Sequence, residues 1–139
     1  MTKSKFAVLA VTMLAAGSVF AQAYQPLRVN VPFDFAAGKN ALSAGEYYVR
    51  VSYSPNSIWL QKADGSGGVV VLSHAVRPHG IAAETASLVF HVYGNRYFLS
   101  QVYSSGAADG AELPKSHDEL EQIAAQHASK TVTVIASLR

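Results

Sequence analysis

Histidine and carboxylate side chains are the groups in this chain that could perform acid–base catalysis or hold a metal ion. The chain has five histidines and no cysteine, which excludes thiol chemistry and thiolate metal sites. No two histidines have the i, i+4 helical spacing or the alternating strand spacing that directs two imidazoles to one ion. A catalytic or metal centre would therefore have to be assembled from distant residues, which are His74, His79 and His91 with Glu46 or Glu84.

Motifs for nucleophilic or nucleotide chemistry are missing. The chain has no G-x-S-x-G or S-x-x-K motif, which are the usual settings of a catalytic serine. The glycine-rich stretch 65–68 lacks the Lys-Ser/Thr ending with which a phosphate loop reaches a nucleotide. We therefore predict a protein that is not an enzyme, with no catalytic residues, no cofactor and no metal.

Aromatic residues are the remaining candidates for a binding surface. Aromatic side chains on strands can fill a core, or they can form a pocket or flat face for an apolar ligand, a glycan or a partner strand. The set comprises Tyr47, Tyr48, Tyr53, Trp59, Tyr93, Tyr97, Phe98 and Tyr103.

The strongest local pattern is a β-hairpin over residues 87–103. Gly94 and Asn95 tolerate the positive φ of a two-residue turn, and this turn pairs Tyr93 with Arg96. One face of the hairpin then carries core residues, which are Leu88, Phe90, Val92, Tyr97 and Leu99. The opposite face is unusually aromatic, so either another element covers it or it is an interaction surface. Its candidate residues, the hairpin face, are His91, Tyr93, Arg96 and Phe98.

Alternating apolar residues predict further strands at residues 27–35, 47–53, 57–62, 69–73 and 131–136. Pro32 lacks an N–H, which favours an edge position for the first of these strands. The β-branched run at 69–73 favours an interior position. Turn signals about every ten residues favour a mainly β domain: an antiparallel sandwich or partly closed barrel of about seven or eight strands, with one helix before the last strand.

A single helix is predicted near residues 117–128. Ser116 and Glu119 form a capping box at its start. Its apolar stripe is expected to pack on a sheet, and consists of Leu120, Ile123, Ala124 and Ala128. The acidic residues Asp118, Glu119 and Glu121 are expected on the solvated side.

The N-terminal residues have the features of a secretory signal peptide. Lys3 and Lys5 precede an uncharged, mostly apolar run over residues 6–20, and Ala21-Gln22-Ala23 is a small-x-small cleavage site. The predicted organisation is a signal peptide at 1–23 and a single β-rich domain at 24–139. The protein is therefore expected to be exported, to the periplasm or outside the cell, without a membrane span after cleavage.

Charge excludes one class of partner. The chain has eleven Lys and Arg against nine Asp and Glu, and removal of Lys3 and Lys5 leaves nine against nine. The remaining cationic residues are scattered singly along the chain. Nucleic-acid binding needs clustered positive charge, so we exclude that class.

Two stretches together resemble a family of small exported bacterial β-rich proteins that has no assigned activity. They are Val31-Pro32-Phe33-Asp34-Phe35 and Leu42-Ser43-Ala44-Gly45-Glu46-Tyr47, with Ser43 where the family usually has proline. The resemblance implies an extended segment and a glycine turn at the start of a β domain. It implies no functional residues.

Three functions remain open. The first is an exported, non-enzymatic binding or interaction module for an unknown protein, glycan or apolar ligand. The second is a small barrel that carries an apolar ligand in its interior. The third is a hydrolase or metal enzyme assembled from the distant histidines and carboxylates named above.

Overall fold

A computed structural model describes residues 26–77, 85–106, 109–125 and 127–138 of the chain. These residues form two β-sheets that pack face to face, and within them the sheets do not close into a barrel. The predicted mainly β sandwich is therefore confirmed. The predicted signal peptide at 1–23 lies outside the described residues, as do His79 and Glu84.

Seven of the described strands are five residues or longer, which agrees with the predicted seven or eight. They are β1 (Leu27–Val31), β4 (Gly45–Tyr53), β5 (Asn56–Lys62), β6 (Gly68–Leu72), β8 (Ser87–Tyr93), β9 (Arg96–Tyr103) and β11 (Ser129–Ile135). Shorter strands complete the sheets, and are β2 (Phe35–Ala37), β3 (Asn40–Leu42), β7 (His74–Val76), β10 (Gly110–Glu112) and β12 (Ser137–Leu138). One helix, α1 (His117–Ala124), precedes β11.

The strands are arranged in two sheets, in which most neighbouring strands are also close in sequence. The first sheet has the order β12-β1-β4-β5-β6. The second has the order β11-β8-β9-β10-β7, with β2 joined to β9 and β3 joined to β2. Pairing is antiparallel except for one parallel bridge between Ala36 and Phe98.

The core lies between the sheets and is built by alternation along the strands. In β1, for example, Leu27, Val29 and Val31 are buried while Arg28 and Asn30 are exposed, as expected for a strand with one face on the core. Fully buried side chains from both sheets fill the space between them. They include Val29, Val49, Ile58 and Leu60 from the first sheet and Leu88, Phe90 and Val102 from the second.

Two sequence predictions about the first sheet are wrong. The predicted strand at 27–35 is broken after Val31, and the chain crosses at Pro32 to the second sheet, where Phe35 begins β2. Pro32, which cannot donate to a ladder, therefore lies in a crossing and not in an edge strand. The run predicted to be interior is β6, which is the last strand of the first sheet.

The C-terminal segment pairs in two places. Residues 129–135 pair with β8 in the second sheet. The chain then crosses at Ala136, and β12 pairs with β1 at Leu27 and Arg28. The terminal segment thus contributes to both sheets.

Candidate functional site

The hairpin face is assembled in the predicted register. Tyr93 pairs with Arg96 and His91 pairs with Phe98, because the two-residue turn at Gly94 and Asn95 leaves one pairing for the strands. The rings of Tyr93 and Phe98 meet edge to face with centroids 5.8 Å apart. The guanidinium of Arg96 lies over the Phe98 ring at 5.3 Å. The four candidate residues are therefore neighbours on one surface of the second sheet.

This face is not open to solvent at its aromatic residues. Tyr93 and Phe98 are buried, although neither belongs to the core between the sheets. The helix α1 reaches Tyr93 through Glu119 in its first turn, and Glu119 itself is only 4% exposed. Of the two alternatives that the sequence left open for Tyr93 and Phe98, the structure has the covered one.

Glu119 joins the helix to the hairpin face. Its Oε1 accepts a hydrogen bond from the Tyr93 hydroxyl at 3.0 Å and lies 2.9 Å from Nδ1 of His91. Its backbone N–H donates to Oγ of Ser116 at 3.2 Å. The predicted cap by Ser116 is thus present, while the Glu119 carboxylate is directed to the hairpin face.

Sequence reasoning assigned the wrong side of this helix to the sheet. Glu119 was expected in solvent, and Leu120 and Ile123 were expected to be buried, but both of these apolar residues are exposed. A period of 3.6 residues identifies a stripe but does not show what faces it. The signal that could have found Glu119 is the hairpin face itself, since a covered tyrosine hydroxyl needs a hydrogen-bond partner.

Burial also changes the ionisation of Tyr93. Loss of hydration around the phenol, and secondarily its hydrogen bond to the Glu119 carboxylate, raise the pKa of Tyr93 to about 12. The hydroxyl is therefore held as a hydrogen-bond donor throughout the physiological pH range. This arrangement stabilises the attachment of α1.

The histidines and carboxylates in the described residues do not converge on one centre. His91 contacts Glu119, His74 lies 3.5 Å from Glu112, and Glu46 pairs with Arg28. Within the described residues, no group of three or more histidine, aspartate or glutamate side chains is placed to hold a metal ion. A site that uses His79 or Glu84 lies outside the described residues, so the enzymatic alternative stays a prediction.

A second surface, on the outside of the first sheet, is open. Cross-strand pairing aligns Arg50, Trp59 and Val70 in one row across β4, β5 and β6. Leu72 continues the surface in the neighbouring row, two residues along β6. Trp59 is 44% exposed, Val70 50% and Leu72 73%. We call these four residues, together with Tyr48, the Trp59 face.

Trp59 is held in place by contacts on its own sheet. Its Nε1 donates to Oγ of Ser57 at 3.2 Å, and the guanidinium of Arg50 lies 5.0 Å from its ring. A cation over an indole ring at an exposed site contributes about 0.5–1 kcal/mol. These contacts restrict the rotamers of the indole before any ligand arrives, which lowers the entropy cost of binding.

An open groove of about 660 Å³ runs along this surface. Its lining includes Tyr48, Arg50, Trp59, Gln61 and Val70. Among the described lining residues the charged ones are Arg50 and Lys62, both cationic. The groove therefore combines an exposed aromatic ring, aliphatic surface and positive charge.

The chain matches no known protein family, no curated protein of known function and no solved structure. The resemblance to exported β-rich proteins therefore stays a prediction. None of the helices that the structure describes has the length and apolar character needed to cross a membrane.

Proposed function

We propose that this protein is an exported, non-enzymatic interaction module that binds a protein partner through the Trp59 face. The observation that carries the proposal is the contiguous patch of exposed apolar side chains formed by Trp59, Val70 and Leu72. Isolated exposed apolar residues are normal on soluble proteins, whereas a contiguous patch is typical of interaction sites.

The composition of the Trp59 face favours a protein over a glycan or a small apolar ligand. Tryptophan, tyrosine and arginine are enriched where protein interfaces have their largest binding contributions. Val70 and Leu72 offer no hydrogen bonds to sugar hydroxyls, and the groove is open, whereas small-molecule pockets enclose most of their ligand. The space between the sheets, where a carrier would hold an apolar ligand, contains the packed side chains of the core.

The expected binding contribution is substantial for so few residues. Complete burial of a side chain such as Leu72 or Val70 contributes about 1.5–3 kcal/mol. Trp59 adds its own area at low entropy cost because Ser57 and Arg50 already orient it. A partner that covers all three side chains would therefore gain most of its affinity here.

Site-specific photo-crosslinking in the cells that produce the protein tests this proposal. A photoreactive amino acid replaces Leu72 in one variant and Leu120 in the control, since both leucines are exposed but Leu120 lies on α1. We expect a defined protein adduct at position 72 and a much weaker one at position 120. Equal labelling at both positions, or none at 72, would contradict the proposal.

Titration of the identified partner gives the second half of the test. Trp59 is the only tryptophan in the chain, so its fluorescence reports directly on the proposed site. We expect the emission of Trp59 to shift on binding, and Leu72→Asp to weaken binding by about tenfold or more because a charge is buried in an apolar contact. An unchanged affinity of Leu72→Asp would place the binding site elsewhere.

A further inference from the structure

We infer that the protein partner is a second copy of this chain, which pairs its β6 strand antiparallel with β6 across a two-fold axis at Val70. This inference rests on the proposed function, because the contact is made at the β6 margin of the Trp59 face, where Val70 and Leu72 lie. It follows from three properties of β6. Its outer edge has free hydrogen-bonding groups, it lacks the features that usually prevent edge-to-edge pairing, and its five residues are complementary to themselves in the antiparallel orientation.

The free edge can be assigned residue by residue. Two hydrogen bonds flank the strand: Lys62 N–H donates to the carbonyl of Gly67 at 2.9 Å, and Ser73 N–H donates to the carbonyl of Asn56 at 3.2 Å. In an antiparallel ladder the direction of the backbone groups alternates along the strand. Odd-numbered residues of β6 therefore face β5, and Gly68, Val70 and Leu72 direct their N–H and C=O groups away from it. No strand in the described part of the chain pairs with this edge.

β6 lacks the features that usually prevent edge-to-edge pairing. Its sequence, Gly-Val-Val-Val-Leu, has no charge and no proline, and its pairing with β5 is regular. One outer strand of the second sheet, β11, is different, because it carries Lys130 and exposed Thr131 and Thr133. Natural proteins protect edges with charges, prolines and bulges, or by keeping edge strands very short. Among the described edge strands of five residues or longer, β6 alone lacks these features, which indicates that its edge is available for pairing.

The strand is complementary to itself in the antiparallel orientation. Centred on Val70, the pairing places Leu72 opposite Gly68 of the other copy and Val69 opposite Val71. The large exposed leucine thus meets the residue with no side chain, and no like charges oppose each other. The six unpaired backbone groups of one β6 edge find six partners on the other.

The same pairing extends the Trp59 face across the axis. In the dimer, the row Arg50–Trp59–Val70 of one copy is followed by the same three residues of the other copy in the opposite order. The apolar residues therefore lie in the middle of the joined row, and the two arginines lie at its ends. Five strand spacings separate the two guanidinium-bearing strands, which is about 24 Å. That distance exceeds the screening length of about 8 Å at physiological ionic strength, so the repulsion between them is small.

The symmetry of this contact limits the assembly to a dimer. An antiparallel pair of identical strands is isologous, so it uses the same edge on both copies and leaves none for a third. The contact surface is small compared with that of stable dimers, which places it among interfaces that dissociate on dilution. We expect a reversible dimer whose two sheets join into one continuous sheet.

Sedimentation of the protein, in the form in which the producing cell exports it, measures this directly. Over about 1 to 500 µM, a range that covers weak to moderate complexes, we expect a reversible monomer–dimer equilibrium. Val70→Lys places two like charges opposite each other at the axis and should weaken the dimer by about tenfold or more. The matched control Thr131→Lys, on the exposed β11 edge, should leave it unchanged. A monomer throughout the range overturns the inference.

A disulfide test fixes the register. Because the chain has no cysteine, Val70→Cys introduces a single thiol, and directly opposed residues of a hydrogen-bonded pair have Cα atoms about 5.5 Å apart, within disulfide range. In a glutathione buffer we expect covalent dimers from Val70→Cys to form much faster than from the control Thr131→Cys. Equal rates overturn the inference.

The crosslinking at position 72 distinguishes failure of the inference from failure of the proposed function. An adduct of two identical chains supports both. An adduct with a different protein, together with a monomer in sedimentation, overturns the inference and leaves the proposed function standing. The absence of any adduct overturns both.

Discussion

The outer faces of the two sheets both carry aromatic residues, but those of the second sheet are buried by other parts of the chain and those of the first sheet are exposed. On the second sheet, Tyr93 and Phe98 are buried, and Glu119 of α1 supplies a hydrogen-bond acceptor for the Tyr93 hydroxyl. On the first sheet, Trp59, Val70 and Leu72 stay exposed. The buried hydroxyl of Tyr93 needs a hydrogen-bond acceptor, and the helix provides it. The aliphatic side chains of β6 have no polar group to satisfy, so they can stay exposed until another molecule binds.

Among the variants that test this comparison, removal of the buried Glu119 carboxylate is expected to change the free energy of unfolding most. Glu119→Ala leaves the Tyr93 hydroxyl covered but without its acceptor and removes the contact with His91. We expect the free energy of unfolding to fall by about 3 kcal/mol, as measured by urea denaturation. The control Glu121→Ala, on the exposed side of the same helix, should cost less than about 0.5 kcal/mol. Equal effects would mean that Glu119 does not hold α1 on the sheet.

Tyr93→Phe tests the same bond from the other side. Loss of a hydrogen bond to a carboxylate should lower the free energy of unfolding by about 1.5 kcal/mol at neutral pH. Because the pKa of Tyr93 is raised to about 12 in the folded protein, against about 10 when unfolded, this stabilisation is complete below pH 10 and is lost as the pH rises towards 12. The difference between wild type and Tyr93→Phe should therefore shrink over that interval.

Tyr97→Phe is the matched control for the alkaline experiment, since Tyr97 is half-buried against Phe33 with its ring stacked at 3.9 Å and is not a partner of Glu119. Because Tyr97→Phe leaves the bond between Tyr93 and Glu119 intact, it measures what removal of a tyrosine hydroxyl costs without loss of that bond. A constant difference between wild type and Tyr93→Phe from pH 9 to 12 would contradict the assignment.

The helix cap should have an intermediate effect. Ser116→Ala removes the acceptor for the Glu119 N–H and is expected to cost about 1 kcal/mol. Ser116→Asp keeps an acceptor and adds a favourable charge at the positive end of the helix, so it should stay close to wild type. If both variants lose the same amount, the Ser116 hydroxyl does not act as a cap.

Local patterns were sufficient for the hairpin and the helix start. The turn at Gly94 and Asn95 determines the register of β8 and β9 from the turn to Phe90 and Leu99. Beyond Phe90 a bulge shifts the pairing by one residue. Ser116 was identifiable as a cap because its role depends only on the residues that follow it. Both features are decided within a few residues of chain.

Features that depend on distant pairing were not predictable in the same way. The alternation through Pro32 continues as if one strand were present, although its two halves join different sheets. The apolar run of β6 is compatible with either an interior or an edge strand, and only the strand order decides between them. Glu119 is buried against a hydrogen-bond donor on the hairpin face, the Tyr93 hydroxyl. The sequence of the helix alone gives no sign of this donor.

The variant with the smallest expected change in the free energy of unfolding, Leu72→Ala, tests most directly whether the outer face of the first sheet is exposed. Leu72→Ala removes an exposed side chain, so at protein concentrations where the chain is monomeric it should change the free energy of unfolding by less than about 0.5 kcal/mol. The control Leu60→Ala, in the adjacent strand but fully buried, should cost about 2–5 kcal/mol. A large loss for Leu72→Ala in the monomer would mean that the chain covers its own β6, as it covers the hairpin face. If instead the loss grows with protein concentration, Leu72 is covered only in the associated state, because a partner that binds the folded chain stabilises it by mass action.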